Sequence, residues 1–96
     1  MTSLSTHVLD TGEGRPAAGV RVELFHDGDL VASGTTDADG RIAQLATGLE
    51  AGGYELVFHP QAVFFTRIAL RVELADGHYH VPLLTSPYSC ASYRGS

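Results

Sequence analysis

His78-Tyr79-His80-Val81-Pro82-Leu83-Leu84 is the stretch on which the fold class turns. In a β-strand alternate side chains share a face, so Tyr79, Val81 and Leu83 form one apolar face suited to a core. His78, His80, Pro82 and Leu84 line the opposite face. Two imidazoles on a polar face, leading into a tail that ends Tyr93-Arg94-Gly95-Ser96, are an odd close for a small domain and mark where chemistry is expected. Pro82 cannot donate to a ladder, so its strand is expected to be unpaired on that side, at least locally.

Upstream the same period-two pattern recurs in short runs. Residues 4–10 and 20–25 alternate, the second run with Val20, Val22 and Leu24 against Arg21, Glu23 and Phe25. Asp27-Gly28 predicts a tight hairpin returning as residues 30–36, and Asp39-Gly40 opens a short strand over 41–45. Residues 47–53 read as a loop with one helical turn around Leu49. Strands follow at 54–58 and 65–74, the latter with Ile68, Leu70, Val72 and Leu74 inward. Asp76-Gly77 turns into the histidine strand, and 89–93 supplies an eighth. Eleven glycines, four prolines and eight short strands predict an all-β, two-sheet sandwich. No repeat or linker divides it, so residues 1–96 form one domain.

A chain of 96 residues buries only about 65% of its unfolded surface, so oligomerisation would add needed stability. The formal charge of −5 comes from 11 acids and 6 bases, all six of them Arg. No basic stripe exists to release counterions from nucleic acid or to bind an anionic membrane. The single Cys90 excludes an internal disulfide and any multi-cysteine zinc site. The first residues lack the basic and apolar regions of a signal peptide, and no run is long enough to span a bilayer. A soluble protein of bacterial cytoplasm is expected.

His7, His78 and His80 admit three readings: open metal ligands, structural groups, or an uncharged catalytic pocket. His78 sits at the hairpin corner beside Gly77 and is expected to be exposed; His80 lies deeper in the strand. A neutral imidazole can take a proton from water, and such assistance supplies ~10²–10⁴ in rate. Arg41 reads as a surface residue after a turn, or as a forked donor to an anionic, oxygen-rich ligand. The tail reads as a frayed terminus. His26 and His59 look solvated, Asp37 and Asp39 look like turn formers, and Cys90 has no base partner in sequence.

HYHVPLL, then Ser86-Pro87-Tyr88 and the terminal YRGS, resemble the C-terminal signature of the 5-hydroxyisourate hydrolases, transthyretin-related enzymes of urate breakdown. Ser5-Thr6-His7-Val8-Leu9-Asp10-Thr11, with Gly14-Arg15-Pro16-Ala17, resembles the other end of that family. The resemblance implies a transthyretin-like sandwich and a hydrolase that needs no cofactor or metal. It implies His7, Arg41 and His80 as catalytic residues. Tyr93 and Ser96 become substrate contacts, while Arg94 serves the pocket or a subunit interface. It also implies a homotetramer, a dimer of dimers, with active sites in the clefts between dimers. A non-catalytic transthyretin-like binding module and a zinc hydrolase using His7, His78 and His80 are the rival readings.

The chain departs from the family pattern in places. Only His59-Pro60-Gln61-Ala62-Val63 stand where a longer segment with a short helix is usual, and five residues cannot form that helix and return. Thr66 and Arg67 stand in place of Pro and Glu, and Cys90 and Ala91 in place of Tyr and Ser.

Overall fold

The computed structural model describes residues 2–96 of the chain. Nine strands follow in order: β1 (Thr2–Asp10), β2 (Arg15–Pro16), β3 (Arg21–His26), β4 (Asp29–Thr35), β5 (Arg41–Leu49), β6 (Gly52–His59), β7 (Ile68–Leu74), β8 (Gly77–Ser86) and β9 (Ser89–Ser92). One sheet runs β2-β1-β8-β9, with β5 also paired to β1, and the other runs β4-β3-β6-β7. The expected eight strands are all present; the ninth is the two-residue β2, which pairs with Leu9 and Asp10. No helix occurs among the described residues, in keeping with the short 59–63 connection.

Alternation puts one side of every long strand into a shared core. Leu4 and Val8 of β1, Val22 and Leu24 of β3, Leu56 and Phe58 of β6, and Val81 and Leu83 of β8 meet there, each buried. Full burial of such side chains contributes about 1.5–3 kcal/mol apiece, and this is what fixes the inward face of each strand. Thr6 and Tyr54 also point inward, and both are satisfied: Thr6 Oγ1 donates to the Val81 carbonyl at 2.7 Å, Tyr54 Oη to that of Glu50 at 2.8 Å. In β7 the expected inward set is correct, with Ile68 and Leu74 buried and Leu70 and Val72 half-buried.

Asp27 and Gly28 have φ of 51° and 84°, and His26 pairs with Asp29 around them. Two positive φ values in a two-residue loop match the twist of the strands they join, as the Asp-Gly pair predicts.

Two expectations fail. Residues 47–53 are neither loop nor helical turn: β5 runs to Leu49 and β6 starts at Gly52, leaving Glu50 and Ala51 as the turn. The glycines there mark irregularity within strands. The ladder between β1 and β5 carries two register shifts, and Gly48 (φ 64°) lies in the shifted part, so Leu45 and Leu49 still reach the core. Similarly, β7 begins at Ile68 instead of 65. Phe64 and Phe65 pack edge-to-face at 4.8 Å, outside any ladder.

Candidate active site

β1 lies between β5 and β8, and its two registers decide which outward side chains meet. In the parallel ladder Ser3 stands opposite His78, Ser5 opposite His80 and His7 opposite Pro82. On the other side His7 stands opposite Arg41. Ser3, Ser5 and His7 alternate with the inward Leu4, Thr6 and Val8, so all of these polar groups share the outer face of the five-stranded sheet. A slip of one residue would turn every one of them over. His7, Arg41 and His80, 73 positions apart at the extremes, are thus neighbours.

Each group is held by a different device. The turn before β5 is built on Asp37, whose Oδ1 accepts the amides of Asp39 and Arg41, both at 2.9 Å. Gly40 (φ 74°) completes it and can be nothing larger, since a Cβ there would lie 2.4 Å from the Val8 carbonyl oxygen. That turn aims the Asp39 carbonyl at His7, whose Nε2 donates to it at 2.9 Å. A carbonyl only accepts, so neutral His7 carries its proton on Nε2 and its lone pair on Nδ1. Asp37 and Asp39 are turn formers, as expected. The Arg41 side chain is exposed and, among the described residues, pairs with no carboxylate.

His80 is half-buried, and His78 beside it is exposed. The Nδ1 of His80 lies 2.7 Å from Ser5 Oγ, which also lies 2.9 Å from His78 Nε2; Ser3 Oγ in turn lies 2.7 Å from His78 Nδ1. Burial depresses the pKa of His80 below the ordinary 6.5, and Arg41, His7 and His78 depress it further by repelling a proton. The imidazole is therefore kept neutral at physiological pH, with Nε2 free of any hydrogen bond among the described residues.

The tail is not frayed. His80 N–H donates to Ser96 O at 3.1 Å, and Gly95 N–H donates to His80 O at 2.6 Å. Gly95 also lies against the ring, where a Cβ would come within 2.7 Å of His80 Cδ2. Between this pairing and β9 the ladder is interrupted at Pro82, the local gap its missing N–H requires. Ser92 Oγ donates to the Pro82 carbonyl at 2.8 Å and closes that gap. Ser96 thus sits beside His80. Arg94 stacks over the Tyr79 ring at 4.2 Å and, with Tyr93, borders a hollow of about 380 Å³ beside β7. Among the described residues no hydrogen bond joins Tyr93 or Arg94 to the imidazoles.

Three histidines at H-x-H plus one suggested metal ligation, but among the described residues no three His, Cys, Asp or Glu side chains converge as a metal site. Nitrogens of His7, His78 and His80 are instead engaged with a carbonyl and two hydroxyls. Cys90 is exposed. His26 and His59, expected to be solvated, both have partners. His26 stacks on Tyr54 at 4.4 Å and its Nδ1 donates to the Gly53 carbonyl, while His59 is bonded to Glu23. The sequence reading overlooked Ser3 and Ser5. Their signal, S-x-S-x-H facing H-x-H, exists only once β1 and β8 are known to pair.

What the arrangement offers is a neutral imidazole, a second imidazole fixed by a carbonyl, and an exposed guanidinium on one open face. Comparison with known proteins bears on its use. Residues 4–95 match the model of the HIUase/Transthyretin family. The chain is 42% identical to 5-hydroxyisourate hydrolase 2 of Rhizobium meliloti over 114 aligned positions, covering 97% of the chain and 95% of that protein. The structure of Klebsiella pneumoniae 5-hydroxyisourate hydrolase superposes with a TM-score of 0.91 at 38% identity, over the whole of both chains. Sea bream transthyretin, solved in complex with thyroxine, gives 0.85 at 28% identity over 95% of this chain and 92% of that one.

Proposed function

The chain belongs to the HIUase/transthyretin family, and from that premise we propose that it hydrolyses 5-hydroxyisourate in urate degradation. Water adds to a carbonyl of the six-membered ring and the adjacent C–N bond breaks. The products of that cleavage are a carboxylate and a ureido group on one molecule, 2-oxo-4-hydroxy-4-carboxy-5-ureidoimidazoline. The observation that carries this reading is the pairing of His7 with Arg41 and of Ser5 with His80 on one sheet face.

His80 Nε2 accepts a proton from the attacking water, and His7 Nδ1 helps to orient that water. A base kept neutral by burial and by nearby cations is suited to the task, and general-base assistance supplies ~10²–10⁴ in rate. Arg41 holds the planar anionic substrate and faces the oxygen on which charge develops, a contribution of about 3–4 kcal/mol for a comparable donor. The proton taken by His80 then passes to the leaving nitrogen. Tyr93 and Ser96 contact the ring, and Arg94, seated on Tyr79, anchors the segment that carries them. No step requires a metal.

The functional assembly in this proposal is a homotetramer, a dimer of dimers whose five-stranded sheets face each other across the substrate. Small-molecule sites are normally concave. Here the histidine face is open: neither the 380 Å³ hollow nor a second one of about 680 Å³ beside Pro60 is lined by His7, Arg41 or His80. A second copy would turn the open face into a cleft.

The test is to generate 5-hydroxyisourate in situ by enzymatic oxidation of urate and to follow its absorbance with and without the protein. Catalysed decay yielding the ureidoimidazoline is expected. Decay at the spontaneous rate, at micromolar protein, would discard the proposal.

A further inference from the structure

Ser5 Oγ has one proton and lies within hydrogen-bond distance of two imidazole nitrogens, His80 Nδ1 and His78 Nε2. Its residue is only 7% exposed, so water does not compete for that proton. Both nitrogens cannot be bare lone pairs, because a single hydroxyl proton satisfies only one of them. Ser3 Oγ on His78 Nδ1 extends the chain beyond the exposed His78 to a half-buried hydroxyl. Four groups from two strands are therefore connected in a row, Ser3, His78, Ser5 and His80, with solvent at one end and the reacting face at the other.

We propose that Ser5 and His78 hold His80 in the tautomer with its proton on Nδ1, and carry that proton away when Nε2 takes one from water. Ser5 is a positioning residue in this scheme and His78 a proton acceptor; both roles rest on the hydrolytic function proposed above. In the resting state His80 Nδ1–H donates to Ser5 Oγ, Ser5 Oγ–H donates to His78 Nε2, and His78 Nδ1–H donates to Ser3 Oγ. His80 Nε2 is left as a lone pair toward substrate.

When water attacks, its proton goes to His80 Nε2. The His80 Nδ1 proton moves to Ser5 Oγ, and the Ser5 proton moves to His78 Nε2. One proton has entered at His80 and one positive charge has appeared on His78, so the count balances. His80 ends neutral with a proton on Nε2, ready for the leaving nitrogen, and the chain then runs back to restore the resting tautomer. The advantage is electrostatic. Arg41 on β5 and His7 on β1 oppose a cation on His80, whereas His78 is exposed to water.

Long-range ¹H–¹⁵N correlation spectra of the ¹⁵N-labelled chain report which ring nitrogen is protonated, with no substrate present. The wild type is expected to have His80 protonated on Nδ1. Ser5→Ala is expected to shift His80 towards the Nε2–H form and to lower kcat by about 10- to 100-fold with little change in KM, while Ser5→Thr retains tautomer and rate. His78→Gln, at an exposed position, keeps an acceptor for Ser5 but cannot take up a proton. It should preserve the His80 tautomer and still lower kcat by roughly 10-fold.

A wild-type His80 protonated on Nε2, or one whose tautomer is the same in Ser5→Ala, overturns the positioning role. Full turnover in His78→Gln overturns the relay. Because the spectra need no turnover, a wild-type chain that fails to hydrolyse 5-hydroxyisourate would remove the functional reading and leave the Ser5 positioning to be judged by the spectra alone.

Discussion

The two sheets each present histidines outward, but they give them opposite company. On the four-stranded sheet His59 pairs across the ladder with Arg21 and bonds Glu23, the next residue along the same face. That bond, with the charges of His59 and Arg21, holds the Glu23 carboxyl below its ordinary range. On the five-stranded sheet His80 meets hydroxyls and other bases, and its pKa falls. An imidazole bonded to a carboxylate has its ring nitrogen engaged; one beside Ser5, with Arg41 and His7 nearby, keeps its lone pair. The same side chain is thus structural on one face and available as a base on the other.

The largest way to break this contrast is to remove the base. His80→Ala should lower kcat/KM by ~10²–10⁴ while circular dichroism stays native, because the residue faces away from the core. Retention of wild-type turnover by this variant would eliminate His80 as the base. Next comes the packing that seats the ring. Gly95→Ala places a methyl 2.7 Å from His80 Cδ2, and should cost about 10- to 100-fold in kcat by displacing the imidazole or the tail. An unchanged rate would mean that the tail does not hold the ring.

A third change would give the five-stranded face the chemistry of the other. Wild-type kcat/KM should fall on the acid side through a pKa below 6.5, since the working form of His80 in the proposed mechanism is neutral and its pKa is depressed. Ser5→Asp supplies a carboxylate, which favours the imidazolium and should move that acid limb upward by about 1 pH unit or more. A pH–rate profile that does not move would show that another group controls the limb. The smallest effect is expected from His59→Ala. It leaves turnover within about twofold and lowers the melting temperature slightly, as loss of one half-buried hydrogen bond does; a large loss of activity would undo the division between the faces.

Much of the fold is legible in the sequence because it follows from alternation. Val20 to Phe25 and Ile68 to Leu74 need nothing beyond period two to reveal their buried sides, and Asp27-Gly28 specifies its own turn. Glycines within β5 and β6 are different. Gly48 and Gly52 look like loop punctuation, but Gly48 lies inside β5 between Leu45 and Leu49, which pack in the core, and Gly52 opens β6. The site was legible as residue types and as a family likeness. What could not be read was the register between β1 and β8, 73–75 positions apart, which makes Ser5 a partner of two histidines, and that between β3 and β6, 36 positions apart, which sets His59 against Glu23. The contact of Gly95 with His80 has no local signal at all.

Pro82 has one more effect. By interrupting the ladder it separates the four residues of β9 from the two hydrogen bonds through which the last residues grip His80. Cooperative unzipping from the end must stop at that break, so those two bonds can open while β9 remains docked. Amide exchange should record it: the N–H of His80 should exchange by small local fluctuations, and that of the buried Thr6 only by global unfolding.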